Sequence, residues 1–213
     1  MTDERFSGLA LIAGAAASII TMIFHPTGHQ MLTPGAVHST TQLAIAVHAL
    51  ALLSLPVLFV GTMGLSRCLA PSGRLPLVAL TTYGFATVAV MNAAVVSGFV
   101  STAVAGRIAD SANPATDLWR ALFHYSGDLN QGFALVFVVA SSIAILLWSI
   151  AALKARFGAR GIAIYGCFVA PISIVAVLSG HLRLNVHGFG AIVFTQAVWL
   201  IFTGAYLMRK DLK

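Results

Sequence analysis

Hydrophobic positions in this chain come in long unbroken runs rather than in the spaced patterns of a soluble core. Six runs stand out, at about Phe6 to Phe24, Gln42 to Leu65, Leu75 to Val104, Asn130 to Leu153, Gly161 to Ser179 and Gly188 to Met208. Each approaches or exceeds the roughly 20 residues a helix needs to cross the apolar part of a bilayer. Only helices and closed barrels satisfy their own backbone in lipid, and no segment alternates with period two, so each run predicts a helix. The expected fold is an all-α integral membrane bundle of six transmembrane helices, one polytopic domain over residues 1–213.

The third connection, between Val104 and Asn130, is long enough for an element of its own. Asn113 fits an N-cap, Pro114 the first helical position and Asp117 the first turn. Leu118, Trp119, Leu122 and Phe123 then repeat on one helical face, with Asp117, Arg120 and His124 opposite. This pattern predicts a short amphipathic interfacial helix over about 114–124, anchored by Trp119.

Composition agrees with the runs. The chain is 59% hydrophobic and only 8% charged, against roughly 25% charged in ordinary soluble domains. Its net charge of +6 does not point to nucleic acid, because the basic residues sit in short connections between spans. Arg5, Arg67, Arg74, Lys154, Arg156, Arg160, Arg209, Lys210 and Lys213 fall on one side and only Arg107, Arg120 and Arg183 on the other. By the positive-inside rule both termini are expected in the cytoplasm, with the chain in a bacterial inner membrane. The apolar run continues past Ala15, Ala16, Ala17 and Ser18 to Phe24, so a retained first span is expected rather than a cleaved leader. Cys68 and Cys167 lie at different depths and do not suggest a disulfide.

Orientation changes the meaning of the histidines. All seven, His25, His29, His38, His48, His124, His181 and His187, fall on the outer side. His48 lies inside the second span, where an ionisable group is costly and is by default a functional candidate. His181 and His187 bracket the short fifth connection, and His25 and His29 lie at the mouth of the first span. Asp128 stands four residues after His124, and with Asp117 is a candidate to orient a ligand histidine from behind. His38 reads as a plain surface residue. Convergence of His25, His29, His48, His124, His181 and His187 would make a site for zinc, copper, iron or nickel, since imidazole suits these and not calcium or magnesium. Two histidines at matched depth, His48 with His181 or His187, would instead ligate a haem b axially. The third reading is a metal-free small-solute carrier or a structural membrane partner.

Asn92, Gln131 and Arg183 are candidates for lining a cavity, while polar residues elsewhere in the spans suit interhelical bonding. No acid or base lies at the midplane, which speaks against a proton-coupled carrier built on a buried carboxylate. No phosphate-cradling glycine loop, His-Glu-x-x-His, nucleophile elbow or paired-cysteine motif occurs. His25-Pro26-Thr27-Gly28-His29 resembles a His-Pro-…-Gly stretch of the nickel-permease-like accessory proteins of hydrogenase and urease operons. The likeness covers five residues and lacks the Asp-His pair that follows there, so it assigns no family. Lipid, with a metal ion or small solute, is the expected partner; an oligomer or membrane partner stays open, and nucleic acid is not expected.

Overall fold

A computed structural model describes residues 2–33, 37–110, 115–158 and 160–210, with the side chains of His29 and Lys210 excepted. The described residues are helical and contain no strand. The helices are α1 (Asp3–Ile23), α2 (Gly28–Met31), α3 (Val37–Cys68), α4 (Leu75–Val95), α5 (Ser101–Ala109), α6 (Thr116–Lys154), α7 (Arg160–Leu178) and α8 (Val186–Lys210). A 3₁₀ turn, Ala70–Ser72, precedes α4, and a π turn, Val96–Val100, joins α4 to α5 without a break. Taking α4 through α5 as one rod, six helices are long and apolar enough to cross a membrane.

Local chemistry sets the ends. Thr2 caps α1 by accepting from the Arg5 amide at 3.4 Å, and Asp3 and Glu4 occupy the positive end of the helix dipole. Asn185 caps α8, its side-chain oxygen accepting from the Gly188 amide at 2.9 Å. Pro56 and Pro171 lie inside α3 and α7, each removing one backbone donor without ending its helix.

Several boundaries differ from those the apolar runs predict. The expected separate helix over 114–124 is the first part of α6, which runs for 39 residues, about 58 Å at 1.5 Å per residue. Nothing between His124 and Asn130 stops helix propagation: there is no proline, and Gly127 alone costs only about 1 kcal/mol against alanine. The anticipated cap at Asn113 and Pro114 lies outside the described residues. α3 begins at Val37, ahead of Gln42, and the third rod continues to Ala109, beyond Val104.

Helices α1, α3, α4, α6, α7 and α8 follow one another around the bundle, with α1 packed between α3 and α8 and α6 between α4 and α7. At the end that carries Asp3, Cys68, Leu75 and Lys154 the packing is tight. Gly8 and Gly204 lie back to back, each against the other's carbonyl oxygen, so α1 and α8 touch through their backbones. The Trp148 ring is fully buried between Tyr83 and Trp199, with ring centroids at 5.5 and 6.1 Å, and its Nε1 donates to Ser66 Oγ at 2.8 Å. Toward the opposite end the bundle opens.

Candidate functional site: a histidine-flanked cavity

That opening is a cavity of about 140 Å³ among α1, α3, α4, α6 and α8. Its inner end reaches Tyr83, Gln196 and Leu200, and its outer end reaches His25, Asn130 and Asn185. Most of the wall is aliphatic or aromatic, and no Asp, Glu, Lys or Arg lines it. At the deep end Gln196 donates through its amide to Ser141 Oγ at 2.9 Å and Ser142 Oγ at 3.1 Å, which orients the side chain.

Two histidines meet at this cavity. The rings of His25 and His48 make an edge-to-face contact, centroids 4.7 Å apart and planes 69° apart. His48 is 3% exposed and its Nδ1 is 2.6 Å from the Ala44 carbonyl oxygen one turn back on α3. His25 Nδ1 is 2.8 Å from the Pro26 carbonyl oxygen. A carbonyl can only accept, so both Nδ1 atoms carry the proton. In each neutral ring Nε2 is then a lone-pair acceptor. Neither Nε2 has a hydrogen-bond partner among the described residues. Burial lowers the pKa of His25 below the ordinary imidazole value and so favours the neutral ring, while the Pro26 carbonyl, by accepting its hydrogen bond, opposes this more weakly.

The chain is shaped locally to bring the rings together. After α1 ends, Thr27 and Gln30 form a capping box. The Thr27 amide donates to Gln30 Oε1 at 2.8 Å, and the Gln30 amide donates to Thr27 Oγ1 at 3.4 Å. This fixes α2 directly after Pro26 and turns His25 back toward α3. On the other side of His48 lies the π turn. Gly98 in that turn packs against His48 so closely that a methyl group there would overlap the imidazole Cβ and Cγ. Ser101 at the end of the turn donates to the Val96 carbonyl at 3.0 Å and shares a 2.9 Å bond with Ser126 Oγ of α6.

The remaining predicted site residues are spread out. His124, Asp117 and Asp128 on α6 are exposed, and Asp117 faces Arg120 at 3.9 Å. His181 is exposed and bonded through Nδ1 to Ser179 Oγ at 2.8 Å. His187 is exposed and borders a neighbouring cleft that His25 also lines. The His29 side chain lies outside the described residues. Among the described residues no three His, Cys, Asp or Glu side chains form a group that could hold a metal ion. Among the described residues the histidines that meet are His25 and His48, and His48 meets His25 rather than His181 or His187. His38 is exposed and accepts from Gln42 at 3.0 Å.

Of the cavity candidates, Gln131 lines the cavity. Asn92 is exposed on the outside of α4, with its amide donating to the Val88 carbonyl of its own helix at 2.8 Å. Arg183 is exposed in the α7–α8 connection. Ser97 and Gln196, polar residues within the predicted spans, also line the cavity, whereas Tyr83, Asn130 and Asn185, which line it too, carried no signal in the sequence. Sequence reasoning also missed the Thr27-x-x-Gln30 box, which is legible as a motif. No protein-family model, no curated protein and no solved structure matches the chain.

Proposed function

We propose that this chain is a multi-pass membrane protein that binds a small uncharged solute in the cavity between its helices, as a carrier or binding protein. The cavity carries the reading. An apolar cavity of about 150 Å³ accepts a molecule the size of benzene, and this one is of similar size. Its wall offers no counter-charge, and burying an unpaired ion is costly, so the ligand is neutral. Membrane insertion is supported by the outer surface of the bundle, where Leu53 is 74%, Phe85 69% and Phe168 65% exposed. Soluble monomers rarely leave apolar patches of this extent in water. The charge asymmetry of the connections supports cytoplasmic termini in a bacterial inner membrane, with the cavity opening outward.

Binding is tested with 4-fluorotoluene and detergent-purified protein by fluorine NMR, using Ala134→Phe protein in the same micelles as the blank. Ala134 lines the cavity and is 3% exposed, so the larger ring fills the space. Saturable binding that Ala134→Phe abolishes is expected. Signal changes identical in the two proteins would mean partition into detergent and would overturn the reading. Orientation is tested by thiol labelling of intact cells, with single cysteines at Ser72 and Ser111 in a Cys68→Ser, Cys167→Ser background. Labelling at Ser111 alone is expected, and labelling at Ser72 would invert the topology.

A further inference from the structure

The cavity has a chemical preference beyond size, and it comes from the histidine pair. Both Nδ1–H groups are committed to backbone carbonyls of their own segments, at 2.6 and 2.8 Å. Each imidazole therefore turns only an acceptor toward a ligand. His48 is almost completely buried and lines the cavity, so a donor reaches its Nε2 through the cavity. A well-made hydrogen bond contributes about 0.5–1.5 kcal/mol net, and a ligand that supplies a donor to these acceptors gains it.

Charge narrows the donor further. An ammonium would enter a wall without a carboxylate, and an anion would meet imidazole lone pairs. The donor that fits is an O–H on a small neutral body. The rest of that body would lie against the apolar wall formed by residues such as Ala93, Ala134, Phe137 and Val193. We propose that the His25–His48 pair selects a small neutral hydroxylated molecule, a phenol or cyclic alcohol, by accepting its hydroxyl hydrogen bond. This rests on the cavity being a solute site. It adds a polarity rule to that reading: the site prefers O–H over an ether or hydrocarbon of the same shape.

The test compares 4-fluorophenol, 4-fluoroanisole and 4-fluorotoluene by fluorine NMR at pH 7.5 on detergent-purified full-length protein, again with Ala134→Phe as the blank. Fluorophenol is expected to bind about tenfold more tightly than either analogue, as one well-made hydrogen bond to an otherwise unpaired acceptor implies. His48→Phe keeps a ring of similar shape without the acceptor, and should bring fluorophenol down to the level of fluorotoluene while leaving fluorotoluene unchanged. His48→Gln, which retains a donor for Ala44 and an acceptor for the ligand, should restore part of the preference. Fluorotoluene binding as tightly as fluorophenol, with both abolished by Ala134→Phe, would overturn the hydroxyl rule and leave the cavity reading standing. A preference that persists unchanged in His48→Phe and in His25→Phe would also overturn it. Binding of none of the three would bring down both readings together.

Discussion

Replacing Gly98 by alanine is the sharpest perturbation of the site, because one methyl group there has nowhere to go. It would overlap Cβ and Cγ of His48 and come within 3.0 Å of Nδ1. Both residues sit on helix backbones held by neighbours, so the imidazole must shift and its 2.6 Å bond to Ala44 is lost. Overpacking of this kind costs about 1–3 kcal/mol, and a buried bond broken on one side adds about 1–3 kcal/mol. Some of that is shared, so a loss of about 2–4 kcal/mol is expected, read as the shift in SDS-unfolding midpoint in mixed micelles. Alanine at Gly127 and Gly132, both on α6 with open space around them, supplies the contrast. There the change should be neutral or stabilising by up to about 1 kcal/mol, since alanine favours helix. The cause is isolated by a double-mutant cycle. His48→Gly alone removes the ring together with Cβ and costs roughly 2–4 kcal/mol, but in a Gly98→Ala background it also relieves the clash with Cβ and Cγ. The two losses should therefore fall short of additivity by at least about 1 kcal/mol. Additive losses within about 0.5 kcal/mol would refute the packing argument and the role assigned to the π turn.

Three further outcomes follow from the same geometry. Burial holds His25 below the ordinary imidazole pKa in the folded state, so below about pH 6.5 the unfolded chain binds the proton first. The neutral ring's contribution is thus complete above about pH 6.5 and is lost as the pH falls from there toward the folded value. His25→Asn, which can still donate to the Pro26 carbonyl, should flatten the stability profile between pH 7.5 and 5.5; an unchanged slope would place the titration elsewhere. Gly8→Leu should separate α1 from α8 at the Gly204 carbonyl and cost upwards of about 3 kcal/mol by the same unfolding assay, whereas Leu53→Ala on the outer surface should cost under about 1 kcal/mol. Gln30→Ala removes half of the capping box. It should cost about 1 kcal/mol and also weaken 4-fluorophenol binding by loosening His25, while fluorotoluene binding stays the same.

The six long helices were legible because lipid-length apolar runs are a direct physical signal that no local turn chemistry contradicts. Their ends were less legible. Val37 to Thr41 and Thr116 to Asn130 are polar enough to look like connections, but polarity marks where a hydrophobic environment stops, not where a helix stops. Once started, a helix gains a bond for each residue added, and it runs on until a proline, a cap or a sharp turn intervenes. His48 stood out as an ionisable residue within a span, and it is buried at the cavity. Its partner could not be chosen from sequence, since seven histidines shared one side and only packing selects among them. Asn92 illustrates the opposite case. An amide in a span suggests an inward-facing group, yet Asn92 satisfies itself on the preceding turn of its own helix and faces outward. The π turn left no readable trace beyond Gly98 itself, because an extra residue in a helix is a property of register rather than composition.

The variation of packing along the bundle argues for where a ligand belongs. At one end, backbones touch at Gly8 and Gly204 and three aromatic rings fill the interior, so little space remains. Toward the other end the same helices leave a cavity, interrupt α4 with a π turn and bury an imidazole whose Nε2 has no hydrogen-bond partner among the described residues. Each of these features costs stability. A cavity alone forfeits the dispersion contacts its lining would otherwise make, and a larger apolar residue at Ala134 would restore them. Residues that fill space elsewhere in this chain are ordinary apolar ones, so the means to close the cavity were present in its own composition. A cavity, a π turn and two imidazole acceptors gathered in one place are the arrangement expected of a binding site. The partner that His48 Nε2 lacks among the described residues would then come from a solute entering the cavity, as proposed above.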